Sequence, residues 1–86
     1  MSYRVVLGRQ AEKDLIGLSD PIQTRIQQRL RSMKEAPFPR GVVKLQGEGV
    51  EGWRIRVGDY RILYTVAEKA KLVRVYKIGH RKDVYR

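Results

Sequence analysis

The chain has 86 residues, with 19 Lys and Arg against 9 Asp and Glu, one His, no Cys and a formal net charge of +10. A chain this short makes one small domain, residues 1–86, and is too short for a two-domain enzyme, a TIM barrel or a full dinucleotide-binding fold. The lack of cysteine removes disulfide frameworks, thiolate metal sites and a Cys nucleophile together, and a lone His argues against a protein-built metal centre.

Tyr3 to Leu7 is a short β-branched run ended by Gly8 and predicts a first strand. From Gln10 to Leu18 the apolar residues Ala11, Leu15 and Leu18 recur at helical spacing. Ser19-Asp20-Pro21-Ile22-Gln23 predicts the start of a second helix, with Asp20 as cap, proline in the first turn and Gln23 reaching back in a capping box. Ile22, Ile26, Leu30 and Met33 form one apolar stripe on it, with Arg25, Gln28, Arg29 and Arg31 largely off that stripe. Two prolines in Ala36-Pro37-Phe38-Pro39-Arg40-Gly41 stop the helix. Four strand-like segments follow, Val42 to Gln46, Gly52 to Val57, Tyr60 to Ala67 and Lys71 to Ile78, with Gly58-Asp59 as a two-residue hairpin turn. The expected fold is α+β: a two-helix hairpin packed on a twisted, mainly antiparallel sheet of four to five strands, in β-α-α-β-β-β order. There are no internal repeats or linkers.

A surplus of ten positive charges calls for a polyanionic partner, with nucleic acid ahead of a membrane surface. No apolar run approaches the length of a membrane span and the first residues lack a signal-peptide core, so a cytoplasmic location is expected. Strand alternation puts Trp53, Ile55 and Val57 on one face and Arg54 and Arg56 on the other. The register set by the turn then places Arg61 opposite Arg56. Like charges opposed on a sheet are destabilising unless an anion neutralises them, and arginine forks suit a phosphate. The final segment, Gly79-His80-Arg81-Lys82-Asp83-Val84-Tyr85-Arg86, adds the only histidine, another arginine and a tyrosine whose ring could stack on a base.

Three stretches resemble the RelE/ParE toxin superfamily of bacterial and archaeal toxin–antitoxin systems: Lys44-Leu45 with Gly47, the run from Trp53 to Tyr64, and the run from Ile78 to Tyr85. The likeness covers nearly the whole chain and is to the RelE branch. It implies the toxin of a type II system, a ribosome-dependent mRNA endonuclease that cuts in the A site without metal or other cofactor and is held by a cognate antitoxin with an acidic, partly disordered segment. On this resemblance Arg54 and Arg56 match the two basic residues of the sheet, Arg61 the phosphate-binding arginine, Arg81 the arginine linked to leaving-group protonation, and Tyr85 the aromatic that orients or stacks the substrate. Lys44, Lys77 and Lys82 join Arg54, Arg56, Arg61 and Arg81 as expected RNA-binding residues. The family's well-known member has lysines where Arg54 and Arg56 stand, and a guanidinium with a pKa above about 12 is a poor general base. His80, with an ordinary pKa near about 6.5, ranks first for that role and Tyr85 second. The rival readings are a ParE-like toxin that poisons DNA gyrase, and a basic nucleic-acid-binding module without catalysis.

Overall fold

The computed structural model describes residues 2–85. Along the chain run β1 (Arg4–Leu7), α1 (Arg9–Ile16), α2 (Asp20–Ser32), β2 (Val43–Lys44), β3 (Trp53–Val57), β4 (Tyr60–Ala67) and β5 (Leu72–His80). They form one five-stranded sheet in the order β1-β5-β4-β3-β2. β1 lies parallel to β5 and every other pair is antiparallel, so the sheet is mixed, with two helices across one face. This agrees with the fold class read from the sequence.

The helices form where the apolar spacing places them. Ala11 and Leu15 of α1 and Ile26 and Leu30 of α2, with Met33 just beyond it, pack on Ile55, Ile62, Tyr64, Val73, Val75 and Ile78. Burial of such a side chain contributes roughly 1.5–3 kcal/mol, and this layer holds the sheet flat against the helices. The capping box does not form. Ser19 is the N-cap, without a side-chain hydrogen bond, and the Gln23 amide instead donates to the Leu15 carbonyl at 2.8 Å, closing the end of α1. The segment expected as a strand from Val42 to Gln46 shrinks to the edge pair Val43–Lys44.

The β3–β4 hairpin turns on Gly58 at φ +60° while Asp59 keeps a negative φ, as a type II′ turn requires. Its register pairs Trp53 with Tyr64, Ile55 with Ile62, Arg56 with Arg61 and Val57 with Tyr60. β5 pairs along β4 in two phases: Ile78 faces Ile62 and Lys77 faces Leu63, but Tyr64 faces Val75. Tyr76 is therefore the extra residue of a β-bulge. Past the end of β1, the Ile78 amide donates to the Asp14 carboxylate at 2.9 Å, so α1 covers that free edge of β5.

Candidate active site

Away from the helices, the sheet carries a row formed by Arg56, Arg61 and Gly79, and beside it a row formed by Arg54, Leu63 and Lys77. Arg61 is the one charged side chain buried among the described residues, at 9% exposure. Its Nη1 donates to the carbonyl oxygens of Gly58 at 3.1 Å and Tyr60 at 3.0 Å, which ties the guanidinium to the hairpin turn. Burial lowers its pKa below the ordinary value, Arg56 and Arg54 lower it further, the Tyr85 phenol opposes them and Arg81 adds a smaller push. Those interactions bring all five groups into one electrostatic neighbourhood. In the second row, Arg54 buries its Nε without a hydrogen-bond partner, a donor that an anion would satisfy.

The chain after β5 completes the cluster by folding back over this face. Arg81 donates its amide to the Asp59 carbonyl at 2.8 Å, and the amides of Asp83 and Val84 both donate to the His80 carbonyl. Val84 is 1% exposed and lies on Gly79, where an added Cβ would stand 3.6 Å from the valine Cβ. With Val84 seated, its neighbour Tyr85 is left half exposed beside the arginines. The result is a cationic surface with an exposed phenol beside it. Among the described residues no three of His, Asp or Glu form a group that could hold a metal ion.

A family model for the ParE toxin of type II toxin–antitoxin systems, parDE, matches residues 5–85. The chain belongs to this family, within the RelE/ParE superfamily. A protein of Methanocaldococcus jannaschii provisionally named toxin RelE1 is 25% identical over 89 residues, spanning 100% of this chain and 98% of its own. RelE in the archaeal RelE–RelB complex of Pyrococcus horikoshii OT3 is 33% identical, with a TM-score of 0.82 over 98% of this chain and 100% of that one. The RelBE2 toxin–antitoxin complex of Mycobacterium tuberculosis contains a chain of the same fold, 24% identical, with a TM-score of 0.83 over 94% of this chain and 100% of that one. The protein is thus a RelE-like toxin of a type II toxin–antitoxin system.

Not every residue that the resemblance singles out lies in the cluster of this RelE-like toxin. Arg54, Arg56, Arg61, Arg81 and Tyr85 come together, and Lys77 stands on the same face beside Leu63. Lys82 is exposed in the tail. Lys44 pairs with Trp53 and holds its ammonium 5.8 Å from that ring, on the helix side of the sheet edge. His80 also lies on the helix side. It pairs with Tyr60, their rings meet edge to face at 5.4 Å, and its Nδ1 accepts the Lys82 amide at 3.2 Å. Where the residues suggested a base beside the arginines, the structure places His80 across the sheet from Arg56 and Arg61. One further contact escaped the sequence. The Tyr76 hydroxyl donates to the Glu51 carbonyl at 2.7 Å and accepts the Glu51 amide at 3.3 Å, fastening the β2–β3 loop on β5.

Proposed function

We propose that this toxin is a ribosome-dependent mRNA endonuclease that cleaves by attack of a ribose 2′-hydroxyl on the adjacent phosphate. The observation that carries the reading is the convergence of Arg54, Arg56, Arg61, Arg81 and Tyr85 on one face, around a guanidinium that burial and its neighbours have made electrostatically uncomfortable. In such a reaction the new P–O2′ bond forms as the P–O5′ bond breaks, leaving a 2′,3′-cyclic phosphate and a 5′-hydroxyl. Arg61 and Arg56 would hold the non-bridging oxygens, where negative charge grows most in the transition state. Arg54, with its unpaired Nε, would join them. Arg81 would donate to the leaving 5′ oxygen, which takes its final proton from solvent.

Arginines stay protonated, so none of the four takes the proton of the attacking hydroxyl; it passes to solvent, and Tyr85 orients the substrate at the edge of the cluster. His80 is given no part in the chemistry, since its ring lies beside Tyr60. A cognate antitoxin would inhibit by laying carboxylates over the same face, in keeping with the RelE–RelB complex that this chain resembles. Both events belong in the cytoplasm, where translated mRNA is found.

The test is mapping of 5′ ends on a reporter mRNA in programmed ribosomes, with wild-type toxin and Arg61→Ala. New ends within the A-site codon, absent with the variant, are expected. Intact mRNA together with inhibited gyrase supercoiling would replace this reading with ParE-like action.

A further inference from the structure

The polar side of α2 has no part in the site described above. Arg25, Gln28, Arg29 and Ser32 follow one another at intervals of three, one and three residues, which stacks them on a single helix face beside the apolar stripe. This face borders an open cleft of about 410 Å³, closed on its other side by Arg56 and the turn at Gly58. β2 pairs only with Trp53 and Arg54, so β3 is an uncovered edge of the sheet from Ile55 to Val57 and the cleft opens there. Arg25 packs onto the turn: a Cβ at Gly58 would come within 3.2 Å of its Nη2 and 3.4 Å of its Nη1.

Three guanidinium groups line this space, and no carboxylate does. Ser32 donates its hydroxyl to the Arg29 carbonyl at 2.7 Å, so the side-chain donors left to a ligand are the three forks and the Gln28 amide. Planar forks around a polar opening suit a tetrahedral oxyanion. Arg56 belongs at once to the cleft and to the arginine face, because its cross-strand partner is Arg61. A ligand reaching from Arg61 past Arg56 to Arg25 must carry anionic groups at intervals along its length, as a polynucleotide backbone does.

We propose that the cleft between α2 and the β3–β4 turn is a second phosphodiester-binding site, holding a backbone phosphate of the RNA strand whose neighbouring phosphate lies at Arg61. The proposal rests on RNA being the ligand of the arginine face. It adds a site on a different element and gives Arg25, Arg29 and Gln28 a role in binding rather than in chemistry.

Binding of a fluorescent single-stranded RNA octamer, 2′-O-methylated against cleavage, is measured by anisotropy from about 50 to 200 mM salt. Each phosphate neutralised on a single strand adds roughly 0.7 to the slope of log affinity against log salt. Arg25→Gln and Gln28→Glu, both at exposed positions, are each expected to weaken binding several-fold, and Arg25→Gln to lower the slope by about 0.7. Arg25→Lys keeps the charge and should restore the slope, which a purely structural role for Arg25 would not predict. An unchanged slope in Arg25→Gln, or no binding of the octamer by the wild type, overturns the proposal. So does loss of antitoxin binding in these variants with RNA binding intact, which would make the cleft a carboxylate site. A toxin that shows the expected slopes but cuts no mRNA keeps the cleft and overturns the endonuclease reading instead.

Discussion

On the helix side of the β3–β4 hairpin, Ile55, Ile62 and Tyr64 are at most 2% exposed, and the Tyr64 hydroxyl donates to the Pro37 carbonyl at 2.7 Å. One residue along each strand, on the opposite side, Arg56 faces Arg61 and Arg54 holds an unpartnered Nε. The same ten residues thus build a satisfied face and an unsatisfied one. Opposed like charges cost from a few tenths to about 1 kcal/mol, a small sum beside the apolar burial across the sheet. A well-packed core lets the other face keep opposed like charges.

The largest effect should come from the unsatisfied face. Arg61→Ala and Arg81→Ala are each expected to slow single-turnover cleavage by roughly 10²–10³-fold, the loss of one transition-state donor, while the fold persists. Rates near wild type would remove these side chains from the reaction.

The satisfied face should answer in stability, through Tyr64. Burial pushes its phenol up from 10.0 to about 12. Below pH 10 the phenol is neutral in both states. Between about pH 10 and 12 the unfolded chain releases a proton that the folded chain keeps, so stability falls with rising pH, by roughly 3 kcal/mol in all. Tyr64→Phe should remove that part of the alkaline loss while costing about 1–3 kcal/mol at neutral pH, because the Pro37 carbonyl loses its donor. Denaturant unfolding of both proteins at pH 7 and across the alkaline range checks it.

Arg61→Gln sharpens the contrast. With its folded pKa lowered by burial and by Arg56, the Arg61 cation is disfavoured in the fold. Since it is charged in both states throughout the neutral range, that penalty does not vary with pH there. Removing the charge should leave stability unchanged or raise it by up to about 1 kcal/mol at low ionic strength, with the gain shrinking in salt. A clear loss would mean that the hydrogen bonds to Gly58 and Tyr60 outweigh the repulsion. The smallest effect is expected for His80→Ala, within roughly threefold of the wild-type rate and with an unchanged pH profile. Loss of the acidic limb would return His80 to the chemistry.

The hairpin could be read from sequence because a two-residue turn fixes register, and register fixes which residues share a face. Gly58-Asp59 therefore sufficed to set Arg56 opposite Arg61. The side taken by His80 could not be read in the same way. Strict alternation from Val75 would put residue 80 on the arginine face, and the bulge at Tyr76 moves it to the other. The one trace of that bulge is in the apolar spacing, where Val73 and Val75 are two apart but Ile78 comes three later. The α2 cleft left a similar partial trace. The polar stripe is visible at helical spacing, but nothing in it tells that Arg56 and Gly58 close the other wall. The spacing that predicts a capping box at Gln23 does not show that the Leu15 carbonyl, in the adjoining helix, takes the Gln23 amide.

Gly52 sits at φ +81° just before β3, and a Cβ there would overlap the Tyr64 carbonyl oxygen. Any other residue must push β3 off β4 or slip it along, and a slip of one position would turn Arg54 and Arg56 inward and Trp53 and Ile55 outward. For a toxin this gives escape from toxicity a second route. In a selection for cells that survive its expression, substitutions at Gly52 should arise alongside those in the arginine face, and they should be recovered as insoluble protein rather than as a folded but inactive one.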